Sequence, residues 1–216
     1  MRRRGLLLCA VVLIATSVPC HAGERIGIGV KVGTLGYGLD VTGRIVDWFS
    51  VRGSVNAIDV SRSYESSDID YDGDLELGAY GVLLDFHPFR GDFRITAGLM
   101  RNRNEISLTA DPSDDVEIGD TTYTPAQVGT LRGGVEFNKV APYFGIGIGS
   151  AADGPGRIKF VLDVGALKQG SGDATLDASS SQVSRSDLKE EEDDIEDKIS
   201  NYRYWPVIAL GISVRI

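Results

Sequence analysis

The sequence predicts an all-β fold: an eight-stranded antiparallel transmembrane β-barrel of up-and-down topology. Three observations predict it. Segments of about ten residues alternate apolar side chains with small or charged ones, which is the two-residue period of a β-strand. Their connections alternate between short and long. After the N-terminal segment no stretch is apolar over the roughly 20 residues that a membrane helix needs, so only strands would cross a membrane.

The N-terminal segment has the order of a secretory signal peptide. Met1 and three arginines precede the apolar run GLLLCAVVLIA and the small-residue stretch TSVPCHA. We expect cleavage after Ala22, so that 1–22 is the signal and 23–216 is one barrel domain. Acylation at Cys20 is the weaker interpretation, because Ser17 and Pro19 stand where a lipoprotein signal has leucine and a small residue.

The composition of the mature chain excludes several classes of protein. Cys9 and Cys20 both lie in the signal, so no disulfide, thiolate metal site or cysteine nucleophile is expected. Cleavage removes three of the 22 basic residues and none of the 31 acidic ones, leaving 19 against 31 and a net charge of −12. A nucleic-acid partner is therefore not expected, and the sequence predicts no cofactor.

The last segment of the chain shows the strand alternation most clearly. Apolar residues occupy the even positions from Ile208 to Ile216, and Ala209, Gly211, Ser213 and Arg215 lie between them. Seven further segments have the same period: 26–32, 35–42, 49–56, 80–86, 93–99, 144–149 and 158–167.

Alternation alone fits two opposite barrels. A soluble lipocalin-like barrel would turn its apolar face inward, and a membrane barrel would turn it toward lipid. The second face consists here of small residues and charges of both signs, with few of the lysines and glutamates of a solvated surface, which favours the membrane barrel. The residues expected to contact lipid include Leu39, Val51, Val82, Ile95, Ile146, Leu162, Leu210, Ile212 and Val214.

Aromatic residues cluster where the two membrane interfaces would lie. Trp48, Phe86 and Phe93 are close to two short connections, and Tyr204 and Trp205 open the last strand. These five residues are expected to form the interfacial girdles.

The connections predict the orientation of the barrel. The short ones, VDW, HPFRGD and AADGPGR, are expected in the periplasm, and the long acidic ones at 63–74, 110–130 and 170–201 outside. In the last of these, Leu188, Ile195 and Ile199 form a weak helical stripe, so the segment is either a short helix or a solvated acidic run. Residues 130–138 either extend the sixth strand or form their own hairpin.

The inward face predicts a network of charged side chains in the lumen. Ions removed from bulk water are costly unless they are paired. Such a network is either a selectivity filter or a plug, and the narrow interior of an eight-stranded barrel favours the plug. The residues expected in it are Lys31, Asp40, Arg44, Arg52, Asp85, Arg94, Lys159, Asp163 and Arg215.

One acidic segment resembles the start of a calcium loop. Asp68, Asp70, Asp72 and Gly73 match its first half, but Ala79 stands where a bidentate glutamate is needed. A metal site is therefore a weaker interpretation than a solvated loop, or than loose cation-mediated association with lipopolysaccharide.

Most of the mature chain resembles a group of Gram-negative outer-membrane proteins related to the OmpW/OmpA-like small barrels. The resemblance rests on the segments AGERIGIGVKVGTLGYGLDVTGR, FNKVAPYFGIGIG, FVLDVGALKQGS and YRYWPVIALGISVRI. It implies location in the outer membrane, contact with outer-membrane lipid and lipopolysaccharide, and insertion by the outer-membrane assembly machinery. It transfers no catalytic residue. Such chains usually end in Phe, whereas this one ends in Ile216.

The sequence is compatible with three functions. The first is a structural barrel or passive pore for small solutes, apolar ones included, and the second is a surface-exposed binding module that uses the acidic external loops. The third, a lipid-modifying enzyme, is the least favoured because catalysis would pair a serine with a histidine. His87, the one histidine of the mature chain, has no serine close in sequence.

Overall fold

The computed structural model describes residues 26–66, 69–150, 152 and 156–216, and it describes side chains outside 62–72. The expected signal peptide and its cleavage site lie outside these residues and stay predictions. The strands in chain order are β1 (Ile26–Gly33), β2 (Gly36–Val46), β3 (Phe49–Ser66), β4 (Ile69–Phe86), β5 (Phe93–Asn102), β6 (Glu105–Pro112), β7 (Val116–Ile118), β8 (Thr121–Tyr123), β9 (Leu131–Glu136), β10 (Val140–Ile148), β11 (Ile158–Lys168), β12 (Asp173–Ala178) and β13 (Tyr204–Arg215). The helices are α1 (Pro125–Val128) and α2 (Arg185–Ile199), and a 3-10 turn spans Ser200–Tyr202.

Eight of these strands close a barrel, as the sequence predicts. The order around it is β1, β2, β3, β4, β5, β10, β11 and β13, and β13 pairs with β1. Every pair is antiparallel. Closure satisfies the backbone groups that an open sheet would leave at its edges. We call the end with turns 47–48 and 87–92 and the connection from β10 to β11 the turn end, and the opposite end the loop end.

Beyond the loop end, part of the sheet continues as a curved wall. β3 and β4 are 18 residues long, and the outer half of β4 pairs with β6, which pairs with β9 and then β12. Three wall strands continue barrel strands end to end after a short break in the chain: β6 continues β5, β9 precedes β10, and β12 continues β11. The prediction of a loop at 63–74 is wrong, because both sides of that hairpin are strand. Residues 131–136 extend the sixth barrel strand, the first of the two alternatives for this segment.

Helix α2 covers the free edge of the wall, which confirms the helix alternative for the acidic run. Ser184 caps its N-terminus by accepting from the Ser186 backbone N–H. The Glu196 and Glu192 carboxylates accept hydrogen bonds from the backbone N–H groups of Ala174, at 3.0 Å, and Leu176, at 2.8 Å. Helix side chains thus replace the missing neighbour of edge strand β12.

A small apolar core fixes the start of α2 to the wall. It is formed by Ile118, Tyr123, Val128, Leu176 and Val183. The Tyr123 hydroxyl donates to the Asp187 carboxylate at 2.7 Å, and this hydrogen bond holds the pKa of Asp187 below its ordinary value. Within the described ranges, no helix has both the length and the apolarity to span a membrane.

Candidate functional site: the barrel interior and its mouth

The centre of the barrel interior is organised around Arg52. Its guanidinium forms a bidentate pair with Asp85, with both N–O distances 3.0 Å. Its Nη1 donates to Asp40 at 3.2 Å and to Asp163 at 3.1 Å. Because these carboxylates come from β2, β4 and β11, one cation joins four strands around the interior.

Two further cations complete what we call the charge network: Lys31, Asp40, Arg52, Asp85, Arg94 and Asp163. Arg94 donates to Asp163 at 2.7 Å and to the Gly149 carbonyl, and Lys31 pairs with Asp40 at 2.9 Å. Arg52, Asp85, Arg94 and Asp163 are each at most 3% exposed. Three acids balance three bases, as groups held away from water require.

The structure separates the other charges that the sequence assigns to the lumen. Arg44 forms an ion pair with Asp47 at 3.2 Å, and Lys159 pairs with Asp92. Both pairs lie near the turn end, apart from Arg52. The Arg215 backbone N–H donates to the Arg157 carbonyl at the end of β13.

Glycine makes room for the charge network on the neighbouring strand. A Cβ atom on Gly147 would lie 2.7 Å from Asp163 Oδ1 and 2.9 Å from Arg94 Cζ. No side chain fits there without moving the ion pair. The glycine at position 147 therefore follows from the bulk of the charged side chains beside it, whereas a Cβ on Gly145 would meet the Tyr143 hydroxyl and the Val164 carbonyl.

On the loop-end side of the charge network lies an apolar layer. It consists of Leu35, Ala79, Leu83, Met100, Ala141, Tyr143, Leu167 and Val207. The two-residue period of segment 35–42 predicts that Leu35 faces outward with Leu39, which is wrong: Leu35 lies in the turn before β2 and is 3% exposed. A turn residue is free of the strand alternation, so Leu35 folds over the interior.

The two layers fill the barrel. The cavities that adjoin Arg52 on either side have volumes of about 20 and 10 Å³. Such volumes hold a single water molecule at most.

Above the apolar layer, at the loop end, the barrel opens into a larger mouth cavity of about 440 Å³. Its walls are almost wholly apolar and include Ile106, Val135, Phe137, Ile199, Tyr202 and Trp205. Two polar residues in its lining are satisfied: Gln169 accepts from Asn104 and donates to the Tyr202 carbonyl, and the Thr34 hydroxyl donates to the Pro206 carbonyl. The cavity lies between the inner face of the wall and the low rim formed by β1 and β13.

The position of Trp205 corrects the prediction of an interfacial aromatic residue. In β13 the odd positions from Val207 to Ser213 face inward, and Trp205 shares that face. Its ring packs against the apolar layer. Tyr204, the neighbouring residue, faces outward and is 59% exposed.

The outer face of the barrel strands is apolar. Leu39, Val82, Ile95, Ile146, Leu210, Ile212 and Val214 are exposed, while Val51 and Leu162 point outward and are half-buried. At the turn end, Trp48 stacks on Phe86 with ring centroids 6.3 Å apart, and Phe93 lies 5.9 Å from Phe89. Along the barrel strands, the outer face is therefore apolar and the charge network lies inside.

A serine and histidine do meet in space, although they are distant in sequence. Ser50 Oγ lies 2.9 Å from His87 Nε2, and His87 Nδ1 lies 3.2 Å from the Gly91 carbonyl oxygen. Ser50 and His87 are 0% and 1% exposed. The pair closes the turn end and is inaccessible to a substrate in this conformation.

The aspartate side chains of the calcium-like segment lie outside what the structure describes. Asp68 and the side chains of Asp70 and Asp72 belong to the undescribed part, so the metal prediction stays untested. The backbone of Asp70 and Asp72 is strand β4. Among the residues whose side chains are described, no group of three His, Cys, Asp or Glu could hold a metal ion.

Comparison with known proteins identifies the fold. The crystal structure of CarO2 from Acinetobacter baumannii matches with a TM-score of 0.59 and 23% identity, covering 88% of this chain and 98% of that one. The crystal structure of CarO from the same organism matches with a TM-score of 0.58 and 19% identity, covering 89% and 98%. No protein-family model and no curated protein matches the chain. Identities this low show a shared barrel fold; the relation to OmpW/OmpA-like barrels stays a prediction.

Proposed function

We propose that the protein is an outer-membrane β-barrel that captures small apolar solutes in its external mouth. The belt of outward positions on the described barrel strands supports a membrane location, because each strand presents aliphatic or aromatic side chains there. The short turns would face the periplasm and the wall would stand outside. Partners would then be outer-membrane lipid and lipopolysaccharide, with the outer-membrane assembly machinery inserting the chain.

The mouth cavity is the observation that carries the solute-binding part of the proposal. Its volume of about 440 Å³ falls in the range of small-molecule sites. Since its polar residues Thr34 and Gln169 are satisfied, a bound solute would gain mainly from burial of apolar surface. An uncharged, largely apolar molecule fits this chemistry better than an ion or a sugar.

The proposal differs from a permanently open pore. The charge network and the apolar layer fill the barrel below the mouth, so binding at the mouth comes first and any passage requires rearrangement. A surface-binding role for the acidic wall is compatible with the same architecture.

The two tryptophans of the chain allow a direct test. In Trp48→Phe, Trp205 becomes the only indole and lies at the mouth; in Trp205→Phe, only Trp48 at the turn end remains. Each variant is reconstituted in nanodiscs and titrated with a brominated ten-carbon alcohol. We expect saturable quenching of Trp205 superimposed on a linear response from partitioning, and only the linear response from Trp48.

A variant that fills the cavity provides the matched control. Val135→Phe adds bulk at the mouth and is expected to weaken the saturable phase tenfold or more. Equal, unsaturable quenching of both tryptophans would exclude a solute site. Recovery of the protein in a soluble periplasmic fraction, with no gel shift on boiling, would exclude the membrane location.

A further inference from the structure

A second cavity lies on the outer surface, where barrel and wall meet. We call it the notch. It has a volume of about 380 Å³ and forms because two neighbouring strand lines break at the same height, between β5 and β6 and between β9 and β10. Asn104, only 4% exposed, fixes the first break: its Oδ1 accepts from the Gly78 backbone N–H and its Nδ2 donates to Gln169. The notch is therefore built into the sheet.

Three cations line the notch: Arg101, Arg103 and Lys139. All three are exposed. Within the part of the chain that the structure describes, none of their side chains has an ion pair or a hydrogen bond. In the barrel interior, by contrast, Arg52 and Arg94 are closely paired.

Directly below these cations the apolar belt begins. Leu99 and Val82, each 61% exposed, and Val140, 59% exposed, are the outward residues next to the notch. Tyr80, paired with Arg101 across the strands, is 46% exposed at the same height. A ligand of the notch would therefore have its anionic part beside the cations and its apolar part along the belt.

Carboxylates also line the notch: Glu76, Glu105 and Glu136 form its upper side and belong to a row that runs across the wall above the cations. Strand register places Asp59 opposite Glu76, Glu76 opposite Glu105, Glu105 opposite Glu136, and Glu136 opposite Asp173. Like charges opposite each other on neighbouring strands are destabilising. The row holds anions away from the wall, except where a divalent cation bridges a carboxylate to a ligand, and it leaves the three cations as the place where a phosphate can bind.

We propose that the notch binds a phosphate group of lipid A, with the acyl chains lying against Val82, Leu99 and Val140. The proposal rests on the outer-membrane location, since only there would lipid A reach this height of the barrel. Arg101 and Arg103 supply charge-assisted hydrogen bonds to the phosphate oxygens, and Lys139 adds a third positive charge.

The test compares two triple variants that remove the same charge from the same end of the molecule. R101Q/R103Q/K139Q empties the notch of cations. R132Q/K168Q/K198Q removes three exposed cations away from it. Each purified, folded protein is titrated in detergent with bis-phosphorylated lipid A, with its dephosphorylated form and with phosphatidylglycerol, in the presence of Mg²⁺, and bound lipid is counted by native mass spectrometry.

We expect the native chain and the control triple to bind bis-phosphorylated lipid A alike, and the notch triple to bind it at least tenfold more weakly. Unchanged binding by the notch triple would overturn the proposal, and so would equal binding of the dephosphorylated form. Phosphatidylglycerol binding as tightly as lipid A would show a general anionic-lipid site and overturn the assignment to lipid A.

Two further measurements keep the outcomes separable. The gel shift on boiling shows whether the notch triple folds. If it does not, the single variant Arg101→Gln and competition by inorganic phosphate on the native chain replace it. Each is expected to weaken lipid A binding at least threefold. Quenching of Trp205 by the brominated alcohol should stay unchanged in the notch triple. If the native chain does not bind lipid A but shows the saturable quenching of Trp205, the notch proposal is rejected and the solute-binding proposal stands.

Discussion

Arg52 is the residue on which the barrel interior depends most. Arg52→Met would leave Asp40, Asp85 and Asp163 facing only Lys31 and Arg94, so one buried carboxylate would lack a counterion. Breaking a buried pair from one side costs about 3–5 kcal/mol. We expect a loss of that order in the free energy of unfolding, measured by urea titration in micelles with the gel shift as readout.

Two variants bracket this expectation. Arg52→Met combined with Asp85→Leu removes one charge of each sign and should recover part of the loss, because apolar residues replace buried pairs at little cost. Arg132→Met removes an exposed cation on the wall and should leave the midpoint unchanged. A single Arg52 variant as stable as the native chain would show that the interior charges are well hydrated.

Gly147 tests the close packing around the same network. Alanine at this position would bring its Cβ to 2.7 Å from Asp163 Oδ1, whereas a Cβ on Gly43 meets nothing within 4 Å. Overpacking of this kind costs about 1–3 kcal/mol. We expect Gly147→Ala to lower the urea midpoint and Gly43→Ala to leave it nearly unchanged; similar midpoints for both would contradict the tight fit.

Ser50 and His87 decide between a structural and a catalytic reading of the turn end. Because both side chains are buried, Ser50→Ala should remove the buried hydrogen bond to His87, at a cost of about 1–2 kcal/mol, without chemical consequence. Lipid A and phospholipid profiles of cells overexpressing Ser50→Ala and the native chain are expected to be identical. A lipid product that forms only with the native chain would revive the enzyme hypothesis.

For single residues, the sequence predicts whether a side chain points inward or outward better than it predicts which residues that side chain contacts. Alternation places Arg52, Asp85, Arg94 and Asp163 on the inward face, but it gives no depth along the barrel axis. Depth separates Arg44 and Lys159 from Arg52, and it follows from the strand register, which the sequence leaves open. Trp205 was predictable, because the alternation that places Leu210 outward places every odd residue of β13 inward.

At the scale of elements, helix α2 is the component that keeps the wall from presenting a bare edge. Glu192→Ala with Glu196→Ala would leave the Leu176 and Ala174 N–H groups without their acceptors. We expect faster amide hydrogen exchange at these two residues. Glu190→Ala with Asp194→Ala removes the same charge from exposed positions of the same helix and should leave their exchange unchanged. Equal exchange in both double variants would mean that the glutamates do not protect the edge.

The wall was the part of the fold hardest to predict from the sequence. Residues 63–74 are rich in serine and aspartate, a composition typical of loops. The alternating aspartates that match a calcium loop also follow the two-residue period of strand β4. Local composition and periodicity thus disagreed, and pairing with β3 and β6 decided in favour of the strand.

At the scale of the whole molecule, two barriers lie in series along the barrel axis. The charge network occupies the turn-end half, and the apolar layer lies between it and the mouth cavity. Each barrier excludes a different species. An ion would lose its hydration without gaining a partner in the apolar layer, so it is excluded there. An apolar solute gains nothing from displacing the salt bridges of Arg52, so it is excluded by the charge network.

Planar-bilayer recording can test whether both barriers close the barrel. The native chain should give no steady conductance, and Arg52→Ala with Arg94→Ala should still give none, because Leu83, Met100 and Leu167 remain above. Adding Leu83→Ala and Met100→Ala should open a small conductance. It should favour cations, since Asp40, Asp85 and Asp163 outnumber the remaining Lys31. A gel shift on boiling establishes that each variant is folded. Conductance from the double arginine variant would show that the apolar layer does not seal the barrel. Conductance from the native chain would support the passive pore instead.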